Sequence, residues 1–218
     1  MSENSGSSAS RIQFDLPTTH RSTSTTTGVA ALTAQQEVNN GGYNIFEGKN
    51  SSSSTVFYAS HNGRVGASEG IIFGSDTSAN NVLDDYEEGT WSPIITDLSG
   101  NGATMTVSNG KYVKVGSLVM ANFGCTISSK GSMTGNYAMI RTLPFTHAGS
   151  NAGSGMINRY ANLSTGFSSL GMELGGGVAS YGWFTGMSGT NGTADGYLSV
   201  SQINSNFFVQ GTVVYTIV

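Results

Sequence analysis

Four carboxylates, Asp84, Asp85, Glu87 and Glu88, crowd into one short stretch of a chain with only 13 acidic residues. Paired carboxylates either ligate Ca²⁺ or divide into an acid and a base. A calcium loop needs ligands at alternate positions around a sharp glycine turn, and that spacing is missing here. An acid/base pair wants a histidine or lysine close by, and none stands beside these residues in sequence. Asn81 to Pro93 is therefore read as an acidic loop followed by Trp91, which plugs the bottom of a core, with the ion site and the acid/base pair as alternatives.

The remaining reactive side chains are scattered. His20, His61 and His147 lie far apart in polar, turn-like settings without carboxylate or cysteine neighbours, and each reads as a solvated loop histidine. Cys125 is the single cysteine, which rules out an intrachain disulfide and zinc ligation by cysteines. No nucleophile elbow, phosphate loop or zinc spacing occurs. No catalytic, cofactor-binding or metal residue is expected, and no enzyme. Asn-Gly pairs begin at Asn40, Asn62, Asn101, Asn109 and Asn191 and read as turns. Tyr181 and Trp183 share one face of a strand, where they pack in a core or subunit contact or form a platform on which a sugar stacks.

The elements that must position these groups are strands. Charged residues make up 10% of the chain, against about 25% in ordinary domains, and 31 of 218 residues are glycine. A surface of hydroxyls and amides suits a repetitive β assembly better than a helical enzyme. The net charge of −4 supplies no Lys/Arg cluster for phosphate, so no nucleic-acid partner is expected. No run reaches the roughly 18 apolar residues of a membrane span, and no signal peptide is recognised, so synthesis in the cytoplasm is expected.

Residues 1–40 are low in complexity and read as an extended N-terminal arm. Within them Arg11, Ile12, Phe14 and Leu16 form a short strand with one apolar face, stopped by Pro17. It either adds to another subunit's sheet, as an anchor, or folds back on its own domain. Val29 to Val38 is the one helical candidate, and reads equally as an extended linker. Residues 41–83 hold short apolar pieces, too few for an independent core, and read as a short intertwined β stalk shared by three chains, with an irregular subdomain lying on the C-terminal one as the alternative. Residues 84–218 carry longer strands. Gly116-Ser117 makes a two-residue hairpin, and Val119, Ala121, Phe123, Cys125 and Ile127 alternate on one buried face. Phe207, Val209, Val213, Tyr215 and Ile217 do the same near the end of the chain. About eight strands between Gly-rich turns predict an all-β chain with an antiparallel, jelly-roll-like β-sandwich head.

The run from Gly74 to Pro93, with Tyr112-Val113-Lys114-Val115-Gly116-Ser117-Leu118-Val119 and Leu143-Pro144-Phe145-Thr146, resembles the junction and C-terminal domain of tailed-bacteriophage structural proteins, especially those of aquatic phages. The resemblance covers residues 70 to 150 and extends to the remainder only in texture. It implies a virion component displayed on the outer surface of the particle. Two expectations follow. One is a homotrimeric capsid-decoration protein whose arm (Arg11, Ile12, Phe14, Leu16) grips the major capsid protein. The alternative is a short tail fibre or spike, joined to a tail component, whose head binds a bacterial surface glycan with Tyr181 and Trp183 as the contact residues.

Overall fold

The structure is a computed structural model that describes residues 44–74, 82–149, 152–164, 167–177, 179–187 and 196–218. The expected arm with Arg11, Ile12, Phe14 and Leu16, the helical candidate, His20 and the turns at Asn40 and Asn191 lie outside the described residues. Among the described residues the chain is all-β, relieved by one 3-10 turn at Val200–Gln202. It divides into two compact units, Met1–Ser68 and Glu69–Val218.

In the first unit β1 (Asn44–Lys49), β2 (Thr55–Ser60) and β3 (Val65–Ala67) form an antiparallel sheet in that order. Asn62-Gly63 turns β2 into β3, with Gly63 at φ 81° as the turn requires. Cross-strand pairing puts Gly48, Phe57 and Ala67 in one row and Phe46, Ala59 and Val65 in the next. Successive rows on alternate residues share a face, so this face is wholly apolar. Phe46 and Phe57 meet edge to face at 5.9 Å, yet both stay exposed, as does Val65. The opposite face carries Glu47, Tyr58 and the Lys49–Glu47 ion pair.

The second unit opens with a small pair, β4 (Ile71–Ile72) and β5 (Val82–Leu83). The rest builds one antiparallel sheet from β6 (Tyr86–Trp91), β7 (Ile94–Asp97), β8 (Thr104–Val115), β9 (Leu118–Ser129), β10 (Ala138–Arg141), β11 (Gly153–Leu163), β12 (Ser169–Leu174), β13 (Tyr181–Met187), β14 (Gly196–Tyr197) and β15 (Ile203–Thr216). Its order is β6-β8-β9-β15-β11-β12-β13-β10-β7, with β14 added to β13. The strands β6 and β7 stand at opposite ends of that order, but only Ser92 and Pro93 separate them in the chain. Three peptide steps reach at most about 11 Å. The sheet therefore curls until its edges nearly meet, and it encloses its own core.

That core is the inner face of the curl. Val119, Ala121, Phe123, Cys125 and Ile127 of β9 are buried, and so are Phe207, Val209, Val213 and Tyr215 of β15 beside it. Ile217 is only partly buried. The Tyr215 hydroxyl donates to the Phe145 carbonyl and accepts from the Phe145 amide, which ties the Leu143-Pro144-Phe145 segment to the core. Burial pushes the Tyr215 hydroxyl up to about 12, against the opposing pull of that backbone hydrogen bond. Gly116 sits at φ 55° in the predicted two-residue hairpin.

Two local expectations are corrected. Only part of the acidic stretch is a loop: Asp84 and Asp85 join β5 to β6, whereas Glu87 and Glu88 lie in Tyr86–Trp91, which pairs along β8 as an edge strand. Charges on an outermost strand discourage pairing with other chains. The pairing also brings up the lysine that the linear sequence lacked: Lys114 is buried, bonds Asp85 and lies 5.4 Å from the centre of the Phe145 ring. Glu87 accepts from the Tyr112 hydroxyl. Nor is Asn109-Gly110 a turn; it lies inside β8. A Cβ on Gly110 would fall 2.2 Å from the Trp91 indole nitrogen, so glycine there makes room for the ring.

Candidate functional site

Strand β13 turns Gly182, Phe184 and Gly186 inward and Tyr181, Trp183 and Thr185 outward. The sequence flanking these residues does not show what joins them on the outer face. The neighbouring strand β10 supplies Arg141, paired with Tyr181, and the short strand β14 supplies Tyr197, paired with Thr185. Tyr137, just before β10, is bridged to Ser199 and so comes beside Tyr197.

The result is a continuous ribbon. The Arg141 guanidinium lies 4.8 Å from the centre of the Tyr181 ring. Ring centres then follow at 5.4 Å from Tyr181 to Trp183, 5.7 Å from Trp183 to Tyr197 and 5.1 Å from Tyr197 to Tyr137. Neighbouring rings are tilted by 54–74°, so the surface is stepped. Tyr137 is 37% and Tyr197 38% exposed, while Tyr181 and Trp183 are half-buried. Two of the four rings are thus exposed and two are partly covered, whereas the core encloses whole phenylalanines.

The ribbon is held from beneath and from the sides. Met139 pairs with Trp183 and Thr96, which places it on the ribbon's side of the sheet, yet it is fully buried. The indole of Trp183 lies so close over Gly176 (φ 79°) that a Cβ there would approach it to 2.6 Å. Beside Trp183, its cross-strand neighbour Glu173 accepts from the Tyr197 hydroxyl at 3.1 Å, and this bond raises the tyrosine's pKa above its ordinary value. At the end of the ribbon Arg141 Nε donates to Thr96 Oγ1 at 3.0 Å and Nη2 to the Leu98 carbonyl at 3.3 Å.

His147 lies behind the ribbon and corrects the expectation of a solvated histidine. It is fully buried, bridged to Ala179 on one side and Ile217 on the other, with its ring edge-on to Tyr181 at 6.4 Å. Its Nδ1 accepts from the Gly149 amide, and its Nε2 has no hydrogen-bond partner among the described residues.

Asp97 is also fully buried. Burial resists its ionisation, but four donors overcome that resistance: the amides of Thr134 and Gly135 and both the side chain and backbone of Asn101, all at 2.9–3.0 Å. They hold the carboxyl well below the usual carboxylate range. Every donor comes from the protein, so Asp97 pins two loops together and offers nothing to a ligand. Among the described residues no group of three or more His, Cys, Asp or Glu could hold a metal ion.

An open groove of about 800 Å³ lies elsewhere on the sheet, over Gly124. Asn109, Asn122, Asn158, Gln210 and Lys111 line it. Its aromatic wall is closed off, since Trp91 is 9% exposed and donates its indole N–H to the Asn122 carbonyl. The groove offers amides and hydroxyls, whereas the ribbon offers open rings flanked by a cation and an anion.

Comparison with protein-family models, with curated proteins and with solved structures found no match to this chain. Among the described residues no helix is long and apolar enough to cross a membrane.

Proposed function

We propose that this chain is a virion structural protein whose curled sheet serves as a β-sandwich-like, jelly-roll-like head, and that the head binds a glycan on the host surface through the aromatic ribbon. The ribbon itself carries the reading: Tyr181, Trp183, Tyr197 and Tyr137 touch in series on an outer face. A pyranose ring has one face of C–H bonds that seats on the electron-rich face of an aromatic ring, and hydroxyls at its rim satisfy polar neighbours. Steps between tilted rings fit a bent oligosaccharide better than a flat polymer. A glycosidase needs two carboxylates about 5–10 Å apart around the bond it cleaves. Among the described residues the ribbon has only Glu173 at its rim, so the site is read as one that binds and does not cut.

The virion setting rests on the resemblance of residues 74–93, 112–119 and 143–146. Within it the tail-fibre or spike reading takes precedence over capsid decoration, because the ribbon supports a receptor-facing head. The capsid anchor of Arg11, Ile12, Phe14 and Leu16 rests on sequence alone. The protein is further proposed to be a homotrimer, since Phe46, Phe57 and Val65 on the apolar face of β1–β3 are exposed.

The test is binding of the full chain to an array of bacterial surface oligosaccharides and to host cells. Trp183→Ala and Tyr197→Ala are each expected to weaken binding at least ten-fold while the thermal midpoint stays within a few degrees. Binding that survives both substitutions removes the ribbon as the site. Immunolabelling of this chain on capsids and not on tails would restore the decoration reading.

A further inference from the structure

The geometry points to an acidic sugar as the residue that the Arg141 end of the ribbon recognises, an inference that rests on the ribbon being a glycan site. Arg141 is held in place by Thr96, by the Leu98 carbonyl and by the face of Tyr181. These partners fix the guanidinium without neutralising it. Among the described residues the ion pairs are Lys49–Glu47 and Lys114–Asp85, and neither involves Arg141. The nearest buried carboxylate in sequence, Asp97, is saturated by its own loop donors. Nη1 and the second N–H of Nη2 therefore have no protein partner among the described residues.

A fixed, partly buried guanidinium with open donors is a ready receptor for a planar anion. Arginine's fork matches the two oxygens of a carboxylate, and its orientation here is settled before a ligand arrives. Stacking on Tyr181 adds to the effect, because a sugar seated on the neighbouring Trp183 ring would bring an exocyclic acid group alongside the fork. The flank of Trp183 away from Arg141's strand is acidic at Glu173, which pairs with Trp183 and already accepts from Tyr197. An anion is repelled there and attracted at Arg141, so the two charges set the side of the indole on which an acid group lies. The chemistry shared by candidate ligands is an acid group on a pyranose, either the carboxylate of a uronic or other sugar acid or a phosphate substituent.

The experiment uses the full chain and three immobilised probes on one backbone: an oligosaccharide ending in glucuronic acid, the same ending in glucose, and the glucose form bearing a 6-phosphate. Wild type is expected to bind one or both acidic probes on the order of ten-fold more tightly than the neutral one. The better of the two identifies the acid group. Arg141→Gln should abolish that preference, so that the acidic and neutral probes bind with equal affinity. Arg141→Lys should recover part of it, which a merely structural arginine would not do. Equal affinity for acidic and neutral probes, or a preference that persists in Arg141→Gln, overturns the assignment. The outcome is separable from that of the underlying reading: if Trp183→Ala and Tyr197→Ala do not reduce binding, or wild type binds no probe, the ribbon itself fails, whatever Arg141 does.

Discussion

Asp97 and Cys125 illustrate how burial acts on a single ionisable group with and without partners. Burial alone pushes the Cys125 thiol up to about 12. The thiolate is the reactive form, so native protein should react slowly with a thiol reagent even at about pH 9 and rapidly once denaturant is added. Fast stoichiometric labelling of the native fold would contradict the buried face of β9. For Asp97 the hydrogen bonds outweigh burial, and its folded pKa lies below the unfolded value of about 3.9. The sign follows from linkage: this stabilisation is fully present above about pH 4 and is lost as the pH falls further. Asp97→Asn turns one acceptor into a donor facing backbone amides, and it should cost about 2 kcal/mol near neutral pH. Urea midpoints measured from about pH 6 down to pH 2 should show the difference between wild type and variant shrinking below pH 4. A constant difference would mean that Asp97 does not carry that part of the acid sensitivity.

At the scale of elements, sequence patterning was legible wherever a strand alternates over a long run with one wet face. Val119 to Ile127 in β9 and Phe207 to Tyr215 in β15 gave up their inner faces because each inward position is apolar. It was not legible for β6, whose carboxylates are tolerated only because the strand lies at a sheet edge. Nor did it reveal His147, whose polar sequence neighbours conceal two strand bridges from distant segments. Of the ribbon, Tyr181 and Trp183 could be read from one strand, but Arg141, Tyr137 and Tyr197 arrive from other strands through pairings that no local pattern encodes. Two glycines test the same point about position. Gly110→Ala would drive a methyl into the Trp91 indole and break its hydrogen bond to Asn122, at a cost of about 2 kcal/mol. Gly124→Ala in the adjacent strand meets no atom within 4 Å and should change stability by less than about 0.5 kcal/mol. Denaturant midpoints of the two variants decide it, and equal values would mean that Gly110 is not there to accommodate Trp91.

For the whole molecule the question is what the exposed apolar face of the first unit meets. The curled sheet of the second unit buries its own core, but the sheet β1–β3 presents Phe46, Phe57 and Val65 at 49%, 41% and 66% exposure. Removing such an apolar face from water is favourable, and a contiguous exposed apolar patch marks an interaction surface. Gly48, Ala59 and Ala67 interleave with the larger side chains on that face and leave space for matching phenylalanines. Since the face carries no charge to select a different partner, further copies of the same chain are the economical cover, and a threefold arrangement lets each sheet pack on two others. Sedimentation at micromolar concentration should therefore give a species of three chains of 22.6 kDa each. Phe46→Glu with Phe57→Glu should place like charges in that interface and yield monomers, while the second unit keeps its β circular-dichroism signal and its cooperative melt. Binding to a glycan-coated surface should then fall far more than binding to a soluble oligosaccharide, because only the former depends on several heads engaging together. A wild-type chain that sediments as a monomer, with residues 44–67 still protected from protease, would show that β1–β3 needs no partner and would end the trimer proposal.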